Sequence, residues 1–335
     1  MIKQSINMDR NDATQEPEGF IHSFLFGKGS IIREGQQIRT RLKMTRSTEG
    51  WIGIPHGGIG MGILLELALH LDTAGLPPAN RYPFNVEYRL GGASLRVGDT
   101  VEAAVTTNEG CLSGQILREG EADPYMCANI HYGKEGNYNK EQFQASLPVR
   151  YQDIADRLLP LPYYRNCFVC GVERAKPGLR RRFYFVDGEV TEKIIVYLAG
   201  FDEVDKQSFN LFQRNKIFHP LPVLALLDEA CGFAAFMVSA SGGVTVRIDY
   251  TFYRDMRVGE KLLFFGRGGK VRGKTPARIM CWASGGAAAV HEDGTLEPVV
   301  STSGQWLGIP ALTRQMREAL IPAELNRRIF ELAGG

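Results

Sequence analysis

The 335-residue chain lacks a charge bias: its formal net charge is +2, and its one block of basic residues is Arg180 to Arg182. Without a basic face, neither nucleic acid nor an anionic membrane is expected as a partner, which leaves a small molecule. The first residues, MIKQSINMDRNDATQEPEG, contain no apolar segment after their charges, and no run reaches membrane-spanning length without interruption. A cytoplasmic protein is the reading. Cysteine is also sparse. Cys111, Cys127, Cys167, Cys170, Cys231 and Cys281 do not make a disulfide framework in a chain of this length, so reduced thiols are expected. Cys167 and Cys170 have the spacing of a zinc knuckle or a redox pair, but no second CxxC follows and no histidine stands at ligand spacing. The pair reads as a structural turn, and no metal is expected.

What the chain does have is a nearly unbroken apolar run, FHPLPVLALLDEACGFAAFM, from Phe218 to Met237, with Asp228 and Glu229 in its middle. Apolar residues fall on every face, as in a helix enclosed by protein. Burying an ionised carboxylate costs several kcal/mol unless it is paired, so an acid here has a reason, either a salt bridge or catalysis. Neighbouring helical side chains diverge by about 100°. One carboxylate is therefore expected to face a site and the other to face water or a partner.

The unit occurs twice. HGGIGMGILLELALH, beginning at His56, also places a glutamate ten residues after a histidine inside a leucine-rich helix, so His56 and Glu66 match His219 and Glu229. Downstream, VEYRL at Val86 matches RIDYTFY at Arg247, and RVGD at Arg96 matches RVGE at Arg257. Landmarks in one order at nearly one spacing make an internal repeat. In each copy a long helix is followed by alternating strands, an α+β unit in which an antiparallel sheet wraps one central helix.

The expected organisation is a polar segment over 1–19, a first unit over 20–135, a linker over 136–160, a second unit over 161–308 and a helical tail over 309–335. Strands are predicted at Phe20 to Phe26, Gln37 to Thr45, 83–90, 99–107, 111–119 and 125–133 in the first unit. In the second they fall at Leu179 to Val186, Val190 to Leu198, 243–254, 259–269, 274–284 and 295–307, with Arg180 to Arg182 as solvated strand charges. The tail reads as an amphipathic helix or pair broken at Pro322, packing through Met316, Leu320 and Ile329. Gly57 and Gly58 open the first long helix. Two glycines there let a ligand approach unpaired backbone N–H groups, which can hold a developing oxyanion; a tight turn that merely needs glycine explains them equally.

These residues resemble a known family. GIPHGGIGMGILLELA and LPVLALLDEACGFAA are similar to the HGG and LLDEA helix signatures of hotdog-fold acyl-CoA thioesterases, the 4-hydroxybenzoyl-CoA and phenylacetyl-CoA thioesterase group. CFVCGVERAKPGL resembles the CxxCG and NPxGL opening of many members, with Lys176 where asparagine is usual. The resemblance implies two hotdog units in tandem, a pair that looks like a dimer within one chain and can associate further as a homo-oligomer. It also implies an active site between units, the HGG amides of one polarising a thioester carbonyl and a helix carboxylate of the other, at the position of Asp228, acting as base or nucleophile.

The two copies depart from that pattern in complementary ways. The first keeps His56, Gly57 and Gly58 but has Leu65 at the carboxylate position, with Glu66 next to it. The second keeps Asp228 and Glu229 but has Pro220, which lacks an N–H, where Gly57 stands in the first. One working site, composed of Gly57 and Asp228, is the expectation, with an acyl thioester as the partner and no cofactor beyond the CoA of the substrate. Two other readings stay open: a non-catalytic acyl-thioester-binding protein, and a hydroxyacyl-thioester dehydratase using His219 with Glu229.

Overall fold

The computed structural model describes residues 17–320 except 28, 52, 73–81, 92–93, 109–110, 149, 176, 188–193, 200–209 and 274–277. Its first element differs from the sequence reading. Phe20 to Phe26 alternate like a strand, yet they lie in a helix, α1 (Pro17–Phe26). So short a run satisfies both periods, and packing decides between them. Phe20 and Phe24 stack one turn apart at 5.9 Å, while Ile21, Leu25 and Phe26 are buried.

Strands β1 (Ile31–Glu34) and β2 (Gln37–Lys43) follow, then short β3 (Glu49–Trp51) and β4 (Ile54–Pro55), then the long helix α2 (Gly57–Asp72). The next four strands, β5 (Phe84–Leu90), β6 (Thr100–Asn108), β7 (Cys111–Arg118) and β8 (Met126–Tyr132), match their expected bounds closely. Residues 109–110, between β6 and β7, lie outside the described residues.

The expected linker is built structure. It holds α3 (Lys140–Ser146), started by a capping box between Asn139 and Gln142, α4 (Gln152–Ala155) and β9 (Leu158–Pro160). Phe143 and Ile154 pack with Leu263, Phe265 and Ala288 in a second, smaller core. Leu262 and Phe264, the alternate residues of that strand, face the main core instead. The segment therefore covers the side of the sheet that the long helix leaves open.

In the second half come β10 (Tyr184–Val186), β11 (Ile194–Ala199), β12 (Gln213–Arg214) and β13 (Ile217–Phe218), then the long helix α5 (Pro220–Ser239). The strand expected from Leu179 begins only at Tyr184, because Arg180 sits at φ 58°. Arg181, expected in solvent, is 1% exposed. After α5 run β14 (Gly243–Phe252), β15 (Leu262–Arg272), β16 (Ile279–Val290), β17 (Leu296–Gly308) and the tail helix α6 (Pro310–Gln315). Met316 is buried as expected. Pro322, Ile329 and the side chain of Leu320 lie outside the described residues.

Among the described residues thirteen strands form one antiparallel sheet, in the order β1-β2-β6-β7-β8-β5-β14-β17-β16-β15-β11-β10-β9. The halves join at β5 and β14, where Phe84 lies opposite Phe252 with rings stacked at 4.7 Å. Helix α2 packs on β2, β6, β7 and β8, and α5 on β11, β14, β15, β16 and β17. Contacts recur between halves. Tyr88 Oη donates to Met61 O and Tyr250 Oη to Leu224 O, each at 3.0 Å. In the RVGD and RVGE turns the acid accepts from the arginine backbone N–H, Arg96 to Asp99 at 2.8 Å and Arg257 to Glu260 at 2.9 Å. These motifs are structural turns, each with its glycine at positive φ.

Helix α5 starts at His219, whose side chain accepts the Leu221 N–H, with Pro220 in the first turn where no N–H is needed. Contrary to the sequence reading, it is long and apolar enough to cross a bilayer; within the protein, 89% of its most apolar window is buried. Its partner is α2. A Cβ on Gly58 would lie 2.6 Å from Ala225, and one on Gly62 2.5 Å from the Leu221 side chain. Ascending one helix descends the other, so the pair is antiparallel, and glycines one turn apart let the two approach closely.

That arrangement brings each histidine to the other helix's glutamate. His56 Nε2 lies 3.0 Å from Glu229 Oε2, and His219 Nε2 lies 2.7 Å from Glu66 Oε2. Glu66 is fully buried, also accepts from both terminal nitrogens of Arg214, and has His70 Nε2 3.0 Å away. Burial would raise its pKa, but the charge and hydrogen bond of His219, with His70 and Arg214, hold it far below the ordinary carboxylate range.

A carboxyl with a depressed folded pKa contributes stability above its unfolded value, here 4.5, and loses it as pH falls toward the folded one. Glu66→Gln is therefore expected to flatten the acid limb of stability against pH. Glu66→Leu, which leaves buried His219 and Arg214 without that carboxylate, should cost about 3–5 kcal/mol in urea unfolding at neutral pH.

Candidate functional site

The counterpart pair, His56 with Glu229, opens onto a cavity of about 330 Å³. Its walls come from both halves: Trp51, Ile54, His56, Gly57, Leu90, Leu95 and Tyr125 from one, Asp228, Glu229, Phe233, Phe236, Thr245 and Trp306 from the other. Tyr163, Tyr164, Cys167 and Cys170 close it from the loop that opens the second half.

That loop is held across the junction by buried polar contacts. Arg174 donates to the carbonyls of Ser47 at 2.9 Å and Asn166 at 2.8 Å, and Phe168 N–H donates to Glu49 O at 2.7 Å. Glu49 is itself buried and accepts from Gly53 N–H at 2.6 Å and from the Asn166 side chain. Phe168, fully buried, stacks on Phe24 of α1 at 5.4 Å and meets Phe212 edge-on at 5.9 Å. Helix α1 thus seats the loop whose cysteines line the cavity.

Both neighbouring acids of α5 line the cavity, whereas one was expected to turn away. Asp228 is 7% exposed, and its Oδ1 accepts from Thr245 Oγ1 at 2.7 Å. Its Oδ2 lies 3.8 Å from His56 Nδ1 and 3.2 Å from where a Cβ on Gly57 would stand. Glu229 holds the other end of the His56 ring. Burial raises the Asp228 carboxyl pKa; the His56 charge and the Thr245 hydrogen bond lower it; Glu229 raises it again, and the net shift is upward.

Burial alone would depress the His56 pKa, but the hydrogen bond to Glu229 and the charges of Cys167, Glu229 and Asp228 push it up to about 9. The backbone opposes that protonation, since Gly58 N–H donates to Nδ1 at 3.0 Å. With that bond made, the ring's single proton is on Nε2, facing Glu229. An imidazolium must give the bond up and turn Nδ1–H toward Asp228.

The two glycines therefore differ. Gly58 cannot offer its N–H to a ligand because His56 takes it, and it is glycine because Ala225 stands against it. The Gly57 N–H has no partner among the described residues, and Gly57 lines the cavity. It is the donor the helix start leaves open. Glu66 does not line the cavity and is sealed in its own ion network. His219, fully buried on Glu66, is not brought to Glu229. Pro220 and Leu65 are buried and do not line the cavity. Thr245 was not singled out by sequence, because a threonine at a strand start carries no local signal; neither were the cavity aromatics.

No protein-family model matches the chain, and no curated protein is significantly similar to it in sequence. Solved structures do resemble it. One is an acyl-CoA thioesterase II, TesB2, from Mycobacterium marinum, at 13% identity over 86% of this chain and 97% of that one, with a TM-score of 0.44. A conserved hotdog-fold protein of unknown function from Alicyclobacillus acidocaldarius matches at 13% identity over 86% and 97%, with a TM-score of 0.43. The dehydratase domain of PpsC from Mycobacterium tuberculosis, in complex with C12:1-CoA, matches at 11% identity over 85% and 98%, with a TM-score of 0.46. The chain is similar to hotdog-fold proteins along most of its length; at such identity and TM-scores the likeness carries nothing about the site.

The glycine pair can be separated by substitution. Gly58→Ala forces α2 off α5 and is expected to destabilise by about 1–3 kcal/mol, as overpacking does. Gly57→Ala meets the Asp228 carboxylate at 3.2 Å, and Met61 and Leu90 only at ordinary contact distance, and should unfold nearer to wild type, as thermal melts of the two variants would show.

Proposed function

We propose that the chain is two hotdog units in tandem, spanning about 20–135 and 161–308, and that it hydrolyses an acyl-CoA or related acyl thioester at one composite site between them. The observation that carries this reading is the juxtaposition of Asp228 with the unpartnered Gly57 N–H in a cavity walled mainly by apolar and aromatic side chains. A cavity of this kind suits an acyl or aryl group, with the thioester carbonyl at its polar end.

In this reading the Gly57 N–H donates to the carbonyl oxygen as it becomes an oxyanion, assisted by the positive end of α2. Asp228, oriented by Thr245, either takes a proton from an attacking water or attacks the thioester carbon itself. The C–S bond breaks and the CoA thiolate leaves, giving the free acid directly in the first case and, in the second, a mixed anhydride on Asp228 that water then cleaves to the acid and the free carboxylate. The geometry supports the dehydratase reading less, since it needed His219 beside Glu229. Binding without turnover uses the same cavity and is separated by assay.

The test is a panel of acyl-CoA substrates read by free-thiol release. Asp228→Asn is expected to abolish turnover. Gly57→Pro should cost ~10²–10³ in rate, the usual cost of losing one oxyanion donor. Pro220 already occupies the matching first-turn position of α5, so a proline there is compatible with a helix start. Pro220→Gly should leave the rate unchanged. Tight acyl-CoA binding with no thiol released by wild type would instead favour the binding protein, and water loss from a 3-hydroxyacyl-CoA the dehydratase.

A further inference from the structure

The sequence reading set the CFVC segment aside because no partner ligands lay near it. The fold supplies them from elsewhere in the chain. His56 from the start of α2 and Glu229 from the middle of α5 meet Cys167 so that one ligand atom of each lies within 4.8 Å of the others. Cys170 stands on the same turn, its N–H donating to Cys167 Sγ at 3.5 Å, and lines the same cavity. His56, Cys167 and Cys170 are 6%, 2% and 3% exposed, and the Glu229 side chain 16%.

We propose that these four side chains form a zinc site, with Cys167, Cys170, His56 and Glu229 as ligands. Two thiolates, an imidazole and a carboxylate are the donor types of tetrahedral zinc. The turn is built to hold a thiolate: the N–H groups of Val169 and Cys170 point at Cys167 Sγ, at 3.3 and 3.5 Å. Gly171 N–H closes the turn on Cys167 O at 3.0 Å, and a Cβ on Gly171 would lie 2.4 Å from that same oxygen. Those N–H groups are donors around the sulfur, of the kind that tune a metal ligand.

Binding has a definite proton balance. Zinc displaces the protons of both thiols. At His56 it takes the Nε2 lone pair, so the ring proton moves to Nδ1. The ring then gives up the Gly58 N–H and points Nδ1–H at Asp228 Oδ2, now 3.8 Å away. Metal, imidazole and carboxylate would stand in series, the usual outer support of a metal-bound histidine. The four-ligand site is closed, and its role is to fasten the loop of the second half to both long helices. It does not depend on thioester hydrolysis.

The test uses the full-length chain and does not use activity. Purified protein should carry about one zinc per chain by elemental analysis. After chelation, titration with cobalt(II) should give the visible bands and the near-ultraviolet thiolate charge-transfer of a tetrahedral thiolate site. Cys167→Ser with Cys170→Ser should weaken metal retention tenfold or more and remove the charge-transfer band, while Cys281→Ser keeps both. Folded wild type that retains no zinc and gives no charge-transfer band with cobalt would overturn the proposal. So would equal retention in the double variant, or a Cys167–Cys170 disulfide found in place of metal by mass spectrometry after alkylation.

Discussion

The interaction on which the rest of the structure depends is the reciprocal clasp between the two long helices. Each helix begins at a histidine that accepts a backbone N–H of its own first turn through Nδ1 and meets, through Nε2, a glutamate near the middle of the other helix. A fully buried carboxylate, Glu66, and a half-buried one, Glu229, would be costly alone between apolar helices. Paired crosswise, they fix the register and the antiparallel direction of α2 and α5, and with them the two parts of the sheet that wrap each helix.

The two ends of this clasp have different surroundings, and that difference places the cavity at one of them. At one end Glu66 is closed in by Arg214, His70 and His219 and does not line the cavity. At the other, Glu229 and His56 stand on the wall of a cavity with Asp228, Thr245 and two cysteines. A glycine at the start of α2 leaves an N–H open there, whereas proline at the start of α5 has none to offer. The two ends can differ in this way because they are built from different residues of one chain, so a change at one is not imposed on the other, as it would be in a pair of identical subunits.

Segments outside the two long helices and the strands packed on them close what those elements leave open. Residues 136–160 cover the outer face of the second half's sheet through Phe143 and Ile154. Helix α1 and Arg174 hold the loop carrying Cys167 and Cys170 against the first half. The cavity is therefore walled by both halves and by a loop that belongs structurally to their junction.

Much of this was legible in the chain alone. The His and Glu landmarks, the alternating strands and the apolar run from Phe218 mark two long helices, each followed by antiparallel strands, because periodicity and composition are local properties. Leu65 and Pro220, read against Asp228 and Gly57, singled out the latter two, and the structure brings that pair to one cavity. The helical state of Phe20 to Phe26 was not legible, since so short an apolar run fits either period and only its neighbours choose. Nor was the difference between Gly57 and Gly58, which turns on one N–H being taken by His56 and on Ala225 lying against the other glycine. The crossed pairing of His56 with Glu229 and of His219 with Glu66, and the meeting of Cys167 with both helices, join residues far apart in sequence. Only the packing of the tertiary structure decides such pairs, because side chains remote along the chain meet through the close approach of two helices and one docked loop.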